Sequence, residues 1–243
     1  MFLLFALSAV AFLYAAVGHA GASGYIAVLT LAGFPLIQIK SLALLLNIIV
    51  SAQGSLQFWK AGYLRSSLCL PLLLTGIPAA FIGGWLDLPT LWFQRLLAIV
   101  LFASAIRFIL NPKDSLKLSE PSLLLLLLSG AIFGLLAGLT GTGGGVFLSP
   151  LLLLSAWAST RQAAAITSFF IFANSISGLA GLLYARGIFF MEFPINFNWL
   201  ISVVFISGVI GSRLGSNHLP VAWIRRCLAC VLVIASFKLL GFS

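Results

Sequence analysis

Apolar stretches too long for soluble strands, and without the alternation of a half-buried sheet, follow one another along almost the whole chain. A bilayer offers no partner to a backbone N–H or C=O, so a chain that enters it folds as helices or closes into a barrel. The six leucines 123–128 open a run that continues to 138 with no period of two, and helices are therefore the expectation. Composition agrees: 62% of residues are hydrophobic and 7% charged, against about 25% charged in soluble domains. The fold class is an all-α polytopic membrane protein of 243 residues, with no length left for a folded soluble domain.

Ten apolar segments are predicted, at 2–17, 24–37, 41–58, 67–85, 91–110, 122–138, 144–157, 162–183, 198–212 and 221–240. The second five repeat the first. Moving Gly84 onto Gly215 also brings Leu88 and Pro89 onto Leu219 and Pro220, Trp92 onto Trp223 and Arg95 onto Arg226. Further upstream Gly18, Gly21 and Gly24 fall on Gly138, Gly141 and Gly144, the changed offset being taken up by loop insertions such as Met191–Asn198. The organisation read from this is a first membrane repeat over 1–110, a linker over 111–121 (NPKDSLKLSEP) and a second repeat over 122–243. A unit that crosses an odd number of times leaves its copy upside down, so the expectation is two inverted five-segment repeats with glycine-broken short second segments.

The net charge of +9 comes from thirteen lysines and arginines scattered singly between apolar segments. They form no basic stripe of the kind nucleic acid requires, and loop cations of a membrane protein account for them. Counted over alternate loops, Lys60, Arg65, Arg107, Lys113, Lys117, Arg161, Arg213, Arg225 and Arg226 fall on one side, and Lys40, Arg95, Arg186 and Lys238 on the other. The richer side is expected to be cytoplasmic, with both termini outside. The first seventeen residues lack the basic start of a signal peptide and are kept as a mature helix. Cys69, Cys227 and Cys230 are odd in number and lie within apolar runs, so no disulfide framework follows.

Between two of the most apolar runs stands GLTGTGGGVFLSP, Gly138–Pro150. Each short second segment has about 14 residues, ~21 Å of helix, against a ~30 Å hydrocarbon core. Such a segment either spans poorly or turns back inside the membrane, and irregular backbone at that depth is tolerated only inside protein or around a wet cavity. A helix opening at Gly143, Gly144, Gly145 and Val146 presents unpaired N–H groups at the positive end of its dipole, and glycine lets an anion approach them. Thr140 and Thr142 add hydroxyl donors beside Gly141. In the first half GHAGASGYIAV supplies His19, Gly21, Ser23 and Gly24. Spaced glycines are a different matter: Gly76, Gly83, Gly84, Gly208, Gly211 and Gly215 read as close helix packing.

The third segment of each half adds polar groups: Asn47, Ser51, Gln53 and Ser55, then Thr167, Ser168, Asn174, Ser175 and Ser177. These either hydrogen-bond a solute or bond helices and their own backbone, with the asparagines leaning towards the first role. All four acids, Asp87, Asp114, Glu120 and Glu192, fall in predicted loops, which leaves no carboxylate at the midplane to cage a cation or relay a proton. No phosphate-binding loop and no metal or nucleophile cluster is present, so no cofactor and no enzymatic activity are expected.

GLLAGLTGTGGGVFLSPLLL resembles the glycine signature of the TauE/SafE sulfite exporter family of membrane permeases, and AAAITSFFIFANSISG followed by YARG resembles its third-segment pattern. Gly83–Leu101 and Gly215–Leu232 are similar to its closing segments, so the likeness covers nearly the whole chain. The first half departs where GHAGASGYIAV lacks the triple glycine and SLALLLN has Leu where Thr is usual beside Asn47. The resemblance implies transport of small sulfur-containing anions such as sulfite or organosulfonates. The sequence thus points to a multi-pass permease in a membrane of the bacterial inner type, whose partners are a small anionic substrate and the lipid bilayer, with no nucleic acid and a homo-oligomer left open. A non-transporting membrane assembly or maturation partner is the alternative.

Overall fold

The computed structural model describes residues 2–16, 20–86, 89–110, 118–187 and 197–215, with 229–230, 232–234, 236–237 and 240 near the end. Among these residues all regular structure is helical: α1 (Phe2–Ala16), α2 (Ala22–Leu31), α3 (Leu36–Lys60), α4 (Ser66–Trp85), α5 (Thr90–Leu110), α6 (Leu123–Thr140), α7 (Gly145–Leu154), α8 (Thr160–Arg186) and α9 (Phe197–Gly215). His19, Gly18, Asp87, Asp114, Glu192 and most of the tenth segment lie outside the described residues.

Among the described residues four helices, α3, α4, α6 and α8, are long and apolar enough to cross a bilayer. Their outer faces carry the exposed leucines and isoleucines that lipid requires, among them Leu70, Leu74 and Ile82 of α4 and Leu124, Leu128 and Ile132 of α6. Exposed Trp59, Trp85, Trp92 and Trp199 sit at helix ends, where an amphipathic ring belongs at the headgroup level. Helices α2 and α7 have ten residues each, ~15 Å of rise and half the hydrocarbon thickness. They are shorter than the sequence suggests, because turns close them at Leu31 and Leu154, six and three residues before the predicted ends.

The apolar core has two large parts, besides a small cluster of Leu44, Leu179 and Leu182 between α3 and α8. Residues of α1, α2, α3, α5 and α9, such as Leu7, Tyr25, Leu42, Leu97 and Val204, form one, and residues of α4, α6, α7 and α8, such as Leu72, Leu126, Leu152 and Phe170, form the other. Each core therefore takes its fourth helix from the opposite half of the chain. Correspondingly α4 lies along α6, α1 lies along α9, and α3 and α8 lie side by side in the middle.

The α4–α6 seam explains the spaced glycines. A Cβ on Gly130, Gly134 or Gly138 of α6 would meet the backbone of Leu72, Gly76 or Ala80 of α4, so the two backbones touch over three turns. Gly83, Gly84 and Gly181 make the same kind of approach between α4, α6 and α8, and Gly211 of α9 does so against Phe12 of α1. Gly208 does not: a Cβ there would find its nearest atom, Gln53 Oε1, at 3.7 Å.

Loops at one end are knitted together by polar contacts. Arg65 pairs with Glu120 at 2.7 Å and donates to the Trp157 carbonyl at 3.3 Å, while Arg161 bonds and covers the Tyr63 ring. At the same end Ser159 and Gln162 form a reciprocal capping box that starts α8.

Candidate functional site

Helix α6 ends at Thr140, and Gly141 follows with φ +78, a left-handed cap that only glycine takes without strain. Gly143 and Gly144 are also left-handed, and Gly144 is the N-cap of α7. The N-cap of α2 is Gly21, with φ +91. Neither helix start is capped by a side chain, unlike α6 and α8, whose starts are capped by Ser122 and Ser159. The α7 ladder begins with Phe147 and Leu148 donating to the Gly144 carbonyl, and the N–H groups of the turn before them form the positive end of the helix.

The two breaks meet. Gly21, Ala22 and Ser23 of the first half and Thr142, Gly145 and Val146 of the second line one cavity of about 20 Å³, together with Tyr14, Ser104 and Ile171. That is the room of about one water molecule. Ser23 shares a 2.9 Å hydrogen bond with the Tyr14 hydroxyl. Thr140 Oγ1 donates to the Leu136 carbonyl at 2.6 Å and so accepts from Thr142 Oγ1 at 2.8 Å.

The remaining residues singled out in the sequence surround this cavity without lining it. Asn47 Nδ2 donates to the Gly141 carbonyl at 3.3 Å, fixing the break to α3. Ser51 Oγ donates to the Asn47 carbonyl one turn back along its own helix, and Thr167 bonds Ser149 of α7 at 3.0 Å. Ser168 packs against Gly54 of α3, and Gly143 packs against Ile171 and Ser175 of α8. Gly24 is an interior residue of α2, pressed on Tyr14 and Val10 of α1, and so serves packing. Asn174 is fully buried on α8 beside Gly76 of α4.

Among the described residues, most buried polar atoms without a hydrogen-bond partner in the protein lie on the central pair of helices, namely both side-chain atoms of Asn174, Ser175 Oγ, Asn47 Oδ1, Gln53 Nε2 and Ser55 Oγ, while Tyr25 Oη and Thr30 Oγ1 lie on α2. Buried amides and hydroxyls are rarely left unpaired, and such groups along one helix pair suit a path for water or a polar solute.

One expectation is overturned. The apolar pattern places Lys40 in a loop, but it lies in the second turn of α3 and is 5% exposed. The cause is Pro35, which the apolar pattern absorbs into the second segment although it stands as the N-cap of α3. Lys40 Nζ donates to the carbonyls of Gly83 and Gly84 at 3.2 and 3.3 Å, in the last turn of α4, where the unpaired carbonyls favour a cation. A fixed positive side chain thus stands beside the glycine break. Tyr14 and Ser104, which the sequence reading does not single out, lie in mainly apolar helices and carry no pattern of their own.

Comparison with known proteins is consistent with this architecture. Residues 3–239 match the family described as Sulfite exporter TauE/SafE. A curated protein of Sinorhizobium fredii (strain NBRC 101917 / NGR234), named "Probable membrane transporter protein y4hK", is 37% identical over 236 residues, covering 95% of this chain and 94% of its own. No solved structure matches.

Proposed function

The chain belongs to the TauE/SafE sulfite exporter family of membrane transporters, and we propose that it carries a small sulfur oxyanion or organosulfonate past the cavity where its two glycine breaks meet. The observation that carries this reading is the convergence of two uncapped helix starts, at Gly21 and Gly144, on one buried space with the Ser23 and Thr142 hydroxyls. Amide hydrogens at a helix start, with the positive end of the dipole behind them, hold an anion without a charged side chain. The unpartnered amides and hydroxyls of α3 and α8 extend the same donor chemistry along the central helix pair.

At about 20 Å³ the cavity admits a solute only after the helices around it move, which is the behaviour of a carrier with alternating access. The exchanged fourth helices support a two-fold relation between the halves, since α4–α6 and α1–α9 trade places when the halves are swapped. In this reading the halves, 1–110 and 122–243, are inverted copies and the rocking element is one core against the other.

The test is flux of radiolabelled sulfite, thiosulfate and a sulfonate in proteoliposomes, with and without a pH gradient. At least one anion is expected to move, and Thr142→Val, which keeps the shape and removes the hydroxyl that ties the break to Thr140 beside the cavity, to slow it about tenfold. Absence of flux for every anion would leave the assembly-partner reading in its place. Gly144→Leu is a poorer probe, because a side chain there meets Phe170 and the Phe133 carbonyl and disturbs folding as well.

A further inference from the structure

Around the glycine breaks most hydroxyls are engaged: Tyr14 shares a hydrogen bond with Ser23, Thr140 with Thr142, and Ser104 donates to the Val100 carbonyl at 2.7 Å. Tyr25 is the exception. It is fully buried, and its Oη has no hydrogen-bond partner among the described residues. A helical side chain leans back towards the start of its helix, and Tyr25 reaches back a whole turn. Its N–H donates to the Gly21 carbonyl at 3.0 Å, and a Cβ on Gly21 would lie 3.0 Å from both Cζ and Oη of its ring. Glycine at this position therefore supplies the left-handed N-cap, φ +91, and also the room for the phenol. Gly21 in turn lines the cavity where the two breaks meet, and Tyr25, which does not line it, lies against that residue.

We infer that the Tyr25 hydroxyl is a specificity-determining donor for the solute, held at the N-cap of α2 and taken up by an oxyanion once the space at Gly21 widens. The inference deepens the proposed function and rests on its reading of the solute as an anion. A phenol buried without a protein partner has lost its water and gained nothing in return, so a solute oxygen that accepts from it restores the missing bond. The side-chain-uncapped start of α2 lies at the same place, so one bound oxygen meets backbone N–H groups and the O–H together. What the hydroxyl adds is selection by acceptor. A sulfonate or sulfite oxygen concentrates charge and takes a strong charge-assisted bond, whereas thiocyanate, also an anion, has no oxygen and leaves the donor poorly paired. A buried donor that only the right solute satisfies discriminates against the wrong one. The helix dipole reads charge, and Tyr25 reads oxygen.

The experiment uses the full chain in nanodiscs and follows the thermal midpoint as methanesulfonate, sulfite or thiocyanate is added, which gives a half-saturating concentration for each anion. Tyr25→Phe is expected to raise that concentration about tenfold for methanesulfonate and sulfite and much less for thiocyanate. The midpoint of the anion-free variant is expected not to fall, since the ring stays and no bond within the protein is lost. An equal rise for all three anions, or no rise for the two oxyanions, overturns the inference. A lower anion-free midpoint, or a variant that does not fold, gives the hydroxyl a structural bond and overturns it as well. A second measurement keeps the hydroxyl in place: 3-fluorotyrosine substituted for Tyr25 in the full chain is expected to shift its fluorine resonance as methanesulfonate binds, and a resonance that does not move overturns the inference. Flux in proteoliposomes separates the two readings. Binding that depends on Tyr25 without flux fails the transport reading alone, and oxyanion flux with the same half-saturation in Tyr25→Phe fails the Tyr25 donor alone.

Discussion

Asn47 of α3 donates its side-chain amide to the carbonyl of Gly141, a residue 94 positions further along the chain, at 3.3 Å. This bond holds the first residue past α6 against the helix that also carries Lys40, and ties the break in the second half to the third helix of the first. Its acceptor atom, Asn47 Oδ1, has no partner in the protein.

Changing Asn47 tests whether that donor orders the break for an anion. Asn47→Asp replaces the donor by a carboxylate that repels both the Gly141 carbonyl and any nearby anion, so flux is predicted to fall further than in Asn47→Ala, which loses one hydrogen bond of about 1 kcal/mol. The protonated acid again donates a hydrogen bond to the Gly141 carbonyl. Flux through Asn47→Asp in proteoliposomes should therefore recover as pH falls, while Asn47→Ala should show no such recovery. Matching pH profiles for the two variants would count against a donor role for this side chain.

The Ser149–Thr167 hydrogen bond, 3.0 Å long, joins the short α7 to α8 in the interior. Thr167→Val keeps the volume and leaves Ser149 without that partner, a loss of about 1 kcal/mol. The thermal midpoint of purified protein is predicted to drop by a few degrees with flux retained. Loss of flux at unchanged stability would instead place Thr167 on the solute path.

The Arg65–Glu120 pair is expected to add little despite its 2.7 Å separation, since the Glu120 side chain is 82% exposed. Exposed pairs contribute about 0–1 kcal/mol. Glu120→Gln should leave the unfolding midpoint nearly unchanged at low and at high salt. A large salt-dependent loss would show that the loop end depends on this charge.

How much could be read from residues alone varies along the chain. The helical class follows from apolar runs that no soluble strand needs, and the left-handed Gly141, Gly143 and Gly144 follow from a glycine cluster that packing by itself does not explain. The apolar pattern misplaces Lys40 because α2 stops at Leu31 by a turn, so the apolar run to residue 37 belongs to two helices, and Pro35 marks the real boundary. The exchange of fourth helices was out of reach for a different reason. A glycine ridge such as Gly130, Gly134 and Gly138 announces a close neighbour but does not name it, and α4 is chosen only by the matching small residues Gly76, Ala80 and Gly84 at the same rise. Asn174 was visible as a polar residue in an apolar helix, yet its lack of a partner depends on what α4 places opposite it.

That ridge gives the sharpest stability prediction. In Gly138→Ala the added methyl would meet the Ala80 carbonyl and the Gly84 amide, both backbone atoms that no rotamer change can move aside. The helices must separate, and overpacking of this kind costs about 1–3 kcal/mol. Gly208→Ala, also within a helix, would find nothing nearer than 3.7 Å and removes backbone freedom from the unfolded chain, a gain of about 0.5–1 kcal/mol. The same one-carbon change is thus predicted to lower the thermal midpoint at one position and to leave or raise it at the other, read by size-exclusion recovery after heating. Equal behaviour of the two variants would mean that α4 and α6 are not in backbone contact at Gly138.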